Sequence, residues 1–163
     1  MVQKTYNFHT PIGSVGTLYD MTPHAVDARL NGEEDSTALK YGMGVVRGAT
    51  PGRDIVLPDD TSEADAFEGI VLNGGTKELT MTGENLIHNK QTVDVLRYGR
   101  AWVLLPDDIE PAYGEQVYLI IDGDDAGKFS NDDTDAIEIP AMFITGNGTG
   151  STAAVHLYDQ KAQ

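Results

Sequence analysis

Val93-Asp94-Val95-Leu96-Arg97-Tyr98-Gly99-Arg100-Ala101-Trp102-Val103-Leu104-Leu105 is the densest apolar stretch of the chain, and it stops at Pro106. Val93, Val95 and Arg97 alternate with Asp94, Leu96 and Tyr98, and residues 102–105 then run on without a polar side chain. β-Branched and aromatic residues in a segment closed by Pro106-Asp107-Asp108 read as a strand rather than a helix. Gly99 sits in the middle, where the missing Cβ lets a strand bulge, turn a corner or accept a close neighbour. The expectation is one long bent strand serving two sheets, with Val95, Trp102 and Val103 in the core. Asp94 should face water or pair with Arg97 or Arg100.

Outward from this spine the segments are short. Residues 15–21 and 24–30, split by Thr22-Pro23, read as a pair of strands. Further strands are expected at 38–46, 54–57 and 67–72, the last closed by Asn73-Gly74-Gly75. Beyond the spine, 116–121 is a strand that brings Val117 into the core, 137–145 is a strand broken at Pro140, and 153–158 returns from an Asn147-Gly148 hairpin turn of the positive-φ kind. Segment 77–89 is polar and weakly patterned, compatible with a strand pair or an excursion. Turn signals every 8–12 residues and the lack of an amphipathic helix give an all-β fold, a single compact β-sandwich or barrel-like domain of about ten short strands. Residues 1–13 read as an extended N-terminal arm with Tyr6, Phe8, Pro11 and Ile12 among polar neighbours, and 14–163 as the β domain; the alternative for the arm is an edge strand paired within its own domain. A faint echo at an offset of 72 places Tyr41-Gly42 over Tyr113-Gly114, Val45 over Val117, Leu72 over Ile144 and Gly74 over Gly146.

Composition narrows the function classes. The 163 residues suit one domain or two small lobes, enough to bury a core without a staple. With no cysteine there is no disulfide framework and no thiolate metal site. No apolar run approaches the roughly 20 residues of a membrane span, and the first ten residues lack a signal peptide's apolar region. Twenty-six acidic against 11 basic residues give a formal charge of −15, a field that repels nucleic acid and anionic membrane and favours basic partners. Neither nucleic acid nor membrane is therefore expected as a partner.

Catalytic signatures are weak. His9, His24, His88 and His156 stand in unrelated contexts, none beside a glycine-flanked serine, so no triad is visible. The acids cluster in turns rather than in apolar strands where burial raises a pKa. In the run from Asp122 to Asp135, a calcium loop starting at Asp122 would need an oxygen donor where Ala126 stands and Glu where Asp133 stands, so a solvated loop is the better reading. The glycine-rich stretches lack the Lys-Ser/Thr of a phosphate loop and read as turns. No catalytic residue, metal or cofactor is expected.

A resemblance adds to this reading. Residues 95–103, then Ile109-Glu110-Pro111-Ala112-Tyr113-Gly114-Glu115-Gln116-Val117, then Gly127-Lys128-Phe129 resemble the phage structural cement, or head decoration, family. So do Thr17-Leu18-Tyr19-Asp20, Gly42-Met43-Gly44-Val45-Val46-Arg47-Gly48 and Phe67-Glu68-Gly69-Ile70, in order over most of the chain. The resemblance implies a non-enzymatic protein on the outer face of an assembled virion capsid, made in the host cytoplasm. It would bridge neighbouring major capsid protein subunits as a dimer or trimer. An arm with Tyr6, Phe8, Pro11 and Ile12 would suit strand addition on a capsid edge. The rival class is a carbohydrate-binding β-sandwich displaying Tyr6, Tyr41, Tyr113 and Tyr158; a hydrolase with scattered carboxylates is a poorer third.

Overall fold

The computed structural model describes residues 13–74, 78–145 and 151–158. The arm residues Tyr6, Phe8, Pro11 and Ile12 and the turn at Asn147-Gly148 lie outside them. In chain order the strands are β1 (Ala25–Asn31), β2 (Gly44–Arg47), β3 (Asp54–Val56), β4 (Phe67–Leu72), β5 (Glu78–Leu79), β6 (Asn85–Leu86), β7 (Thr92–Leu104), β8 (Gln116–Ile120), β9 (Phe129–Ser130), β10 (Ala136–Phe143) and β11 (Thr152–Leu157). The fold is all-β, with single 3-10 turns at Ala64–Ala66 and Gly123–Asp125.

The spine is β7, and its two halves belong to different sheets. Up to Tyr98 it pairs antiparallel with β1 and β4; from Gly99 on it pairs with β11. Gly99 has φ +127°, and a Cβ there would lie 2.7 Å from the Cβ of His24, so glycine is required where the strand changes partners. On one side β1, β7, β4, β2 and β3 close a five-stranded ring, with β1–β3 its one parallel pair. On the other, β7, β11, β10, β8 and β9 form a curled sheet whose far end returns to β2 through Gly44 N–H donating to Gly127 O at 2.8 Å.

Period-two alternation divides the apolar residues between two cores. Val45, Ile55, Val71, Val93 and Val95 fill the ring, with Leu39, Tyr41 and Ile87 alongside. Val46, Ile70, Leu72 and Leu96, their immediate neighbours in sequence, turn the other way. They join Ala101, Val103, Val117, Leu119, Phe129, Phe143 and Val155 in the larger core of the second sheet. Strands buried on both faces must be continuously apolar, which is why β4 is buried along its whole length.

Several local expectations are corrected. Residues 15–21 do not form a strand paired with β1, because the inner edge of β1 is taken by β7. They run instead along β7: Gly16 N–H donates to Trp102 O (2.8 Å), Trp102 N–H to Thr17 O (2.9 Å) and Tyr19 N–H to Arg100 O (2.9 Å), with one bridge, Leu18 to Ala101. The 122–135 region is not all loop: Phe129 and Ser130, both buried, pair with β8. Pro140 does not break its strand. β10 runs through it, and the missing N–H shows as an irregularity in the β8 pairing between Glu138 and Met142. Segment 77–89 holds the two-residue pair β5–β6, with Leu79 and Met81 exposed. The offset-72 positions occupy matching places, β2 between β3 and β4 and β8 between β9 and β10, although Tyr41 is buried and Tyr113 is exposed.

Val95, Val103 and Val117 are wholly buried; Trp102, 6% exposed, is covered in a different way. It lies on the face of β7 opposite Ala101 and Val103, roofed by residues 13–19. The Tyr19 ring packs on it at 5.5 Å and 45°, and Gly13 passes so close that a Cβ would meet the indole nitrogen at 2.0 Å. Trp102→Ala removes the surface on which residues 13–19 lie. It is expected to cost about 3–5 kcal/mol in denaturant unfolding and to raise hydrogen exchange at Gly16 and Tyr19; unchanged stability would contradict this packing.

Candidate functional site

Inside the ring, the apolar filling gives way to charge at one end. Arg29, Arg47 and Arg97 occupy the next inward-facing positions after Asn31 on β1, Val45 on β2 and Val95 on β7. All three converge on Glu68 of β4, a carboxylate whose side chain is only 10% exposed. Arg97 Nη1 donates to Glu68 Oε2 in a short contact, Arg29 Nη2 stands 3.8 Å from that oxygen, and Arg47 Nε is 3.7 Å from Oε1. Asp27 accepts from Arg29 at 2.8 Å and Asp65 lies 3.4 Å from Arg47. Three cations and three anions thus balance locally. One charge-assisted hydrogen bond and two ion pairs around a poorly hydrated carboxylate tie β1, β2 and β7 to β4. The sequence reading passed over Glu68; its signal was an acid in an otherwise apolar strand.

A second cluster surrounds Asp20, just before β1. Arg100 donates to Asp20 Oδ2 at 2.9 Å, and Asp20 Oδ1 accepts from the Thr22 hydroxyl (2.5 Å) and N–H (3.1 Å). His156, paired across the ladder with Arg100, stacks between Tyr98 (6.3 Å) and Tyr158 (4.8 Å). Burial, with Arg100 beside it, pushes the His156 pKa below its ordinary 6.5, while Asp20 opposes the shift. The Thr22 hydroxyl bond, then its N–H and Arg100, hold Asp20 below the usual carboxylate value.

The other acids serve turns. Asp35, Asp59 and Asp132 repeat the Asp20 arrangement, each accepting the N–H and hydroxyl of a threonine two residues on, and each is pulled to lower pKa by those bonds. Asp94 is half-buried and forms no ion pair among the described residues; Arg97 and Arg100 have taken Glu68 and Asp20 instead. In the 122–135 region Asp122 caps Gly123 and Asp125 holds Lys128 at 2.5 Å, and no group of three or more His, Asp or Glu among the described residues is placed to hold an ion. His24 contacts Thr22 O and His88 contacts Glu78 Oε2. Of the glycan-platform tyrosines, Tyr41 is buried, Tyr113 is 73% exposed, Tyr158 is stacked on His156 and Tyr6 is outside the described residues.

What remains is a charge-locked β body with Gly13 lying against Trp102. Residues 2–158 match the family of structural cement proteins (E217 gp24/Pam3 gp6). The chain belongs to the phage structural cement family. Its role is structural, in the phage capsid. A chain from the solved capsid of Myoviridae phage XM1 has the same fold, with a TM-score of 0.71, 21% identity, and coverage of 96% of this chain and 97% of that one. No curated protein matches.

Two outcomes are expected of this cement protein in solution. Glu68→Gln leaves three arginines facing a neutral group and should cost about 2–4 kcal/mol, discounted for the partial exposure of the arginines; denaturant unfolding measures it. For pH the sign follows from His156, whose pKa is lower in the fold. The unfolded chain takes up the proton first, so stability is full above 6.5 and falls as the pH drops below it. The four aspartates, depressed from 3.8, add a further loss at lower pH. Melting temperatures from pH 8 to 3 should show both slopes, and His156→Gln should flatten the first.

Proposed function

We propose that this chain is a decoration protein that binds the outer surface of a tailed-phage capsid and bridges major capsid protein subunits to stabilise the head, without catalysing a reaction. The observation that carries the reading is the family match over residues 2–158, which takes in the arm as well as the body. In this reading residues 1–13 are the arm, 14–163 the body, and Tyr6, Phe8, Pro11 and Ile12 engage the capsid. Residues 1–19 hold Lys4 and no acid, in a chain of formal charge −15. Such an arm can approach an acidic surface that the body itself would avoid. Clamping of Gly13 against Trp102 supports the role, since it fixes where the arm starts and reduces the entropy lost when the arm docks. Display of many copies on a closed lattice makes a modest interface hold, and a homo-oligomer would multiply this. The acidic body keeps clear of packaged nucleic acid and of membranes.

Deleting residues 1–10 should leave melting unchanged and weaken decoration of empty heads by about tenfold or more, measured by co-sedimentation. Equal binding by the truncated and full chains would remove the arm from the interface.

A further inference from the structure

Among the described residues the ring leaves one strand edge open. In β1, Leu30 N–H donates outward to Arg53 O, whereas Asn31 N–H donates to Gln91 O and Asn31 O accepts from Lys90 N–H, toward the β7 side. Alternation then turns the N–H and C=O of Asp27 and Arg29 to β7 and those of Val26 and Ala28 away from it. β3 covers the outer edge at Leu30 and Asn31 alone. Before Leu30 no described residue pairs with that edge; Ala28 O receives only the Arg29 guanidinium, at 3.3 Å. Ala25, Val26 and Ala28 are exposed, Val26 by 39%.

Exposed edges are commonly guarded by proline, by charged side chains such as lysine, or by a bulge that twists the edge away. The β1–β7 pairing does carry one bulge, between Ala25 and Val26, but its extra residue, Arg97, is on β7, so β1 runs on unbroken and its outer edge keeps its alternation. Residues 25–29 contain neither proline nor lysine. Their two charges, Asp27 and Arg29, are paired with each other and turned to the inner face toward Glu68 and Arg97. The edge is also self-complementary. If two copies meet antiparallel with Val26 opposite Val26 across a twofold axis, those two residues exchange both hydrogen bonds and Ala28 faces His24 of the second copy. Asp27 then stands opposite Ala25. The neighbouring register would set Asp27 against Asp27, and like charges directly opposite are unfavourable.

We propose that the outer edge of β1 is a pairing site for a second copy of this chain, joining two rings into one continuous sheet through Val26. The inference rests on the ring's geometry and holds whether or not the chain binds a capsid. Five residues per copy bury far less than the roughly 800 Å² per partner of a stable dimer, so the contact forms where copies are crowded and is best read by covalent trapping. The chain has no cysteine, so a single introduced thiol reports one position. In the proposed pair the Val26 Cα atoms lie about 5.5 Å apart, within disulfide reach, while two Ala28 positions are offset by four residues, about 13 Å. Concentrated Val26→Cys protein under mild oxidation is expected to form a covalent dimer at least about tenfold faster than Ala28→Cys, with both variants melting like the parent chain. Equal rates, or a Val26→Cys protein that stays monomeric, would overturn the proposal.

Discussion

One strand hydrogen-bonded to two sheets is the constraint from which the rest of this molecule follows. β7 gives its first half to β1 and β4 and its second to β11, and the exchange happens at Gly99. Because the halves share one continuous backbone, neither sheet can slip in register without moving the other. Neighbouring residues on β2, β4 and β7 point into different cores, so these strands lose apolar burial on both faces if they shift by one position. Such a body suits a member of a structural cement family.

Electrostatics divide along the same lines. Four aspartates close Asp-x-Thr turns at the surface, and one acid, Glu68, is buried. Three of the chain's five arginines converge on it. Residues 1–19, with Lys4 and no acid, contrast with the acidic remainder of the chain.

The parts of this architecture legible in the sequence are those that local pattern dictates. β4 and β7 could be placed nearly to the residue because their apolar residues are dense and closed by turn signals, and Gly99 marked the change of sheet. Residues 15–21 misled because they have a strand's composition, yet their partner was decided by which edge of β7 stayed open, a long-range matter. β9 was hidden because Phe129 and Ser130 sit among aspartates that dominate any reading of that region. The Glu68 cluster was invisible for a related reason: Arg29, Arg47 and Arg97 are far apart in sequence and meet only once the ring closes. Trp102 was placed inside, and it is buried, but under residues 13–19 rather than within either core cluster.

Native-state hydrogen exchange on β7 tests the shared spine most directly. If the two sheets form one cooperative unit, the amides of Val95 and Leu96 and those of Ala101 and Val103 should exchange only through global unfolding, with the same free energy of opening and the same denaturant dependence. Opening of one set at markedly lower free energy, while the other stays protected to the global limit, would show two sheets that unfold separately and contradict the account.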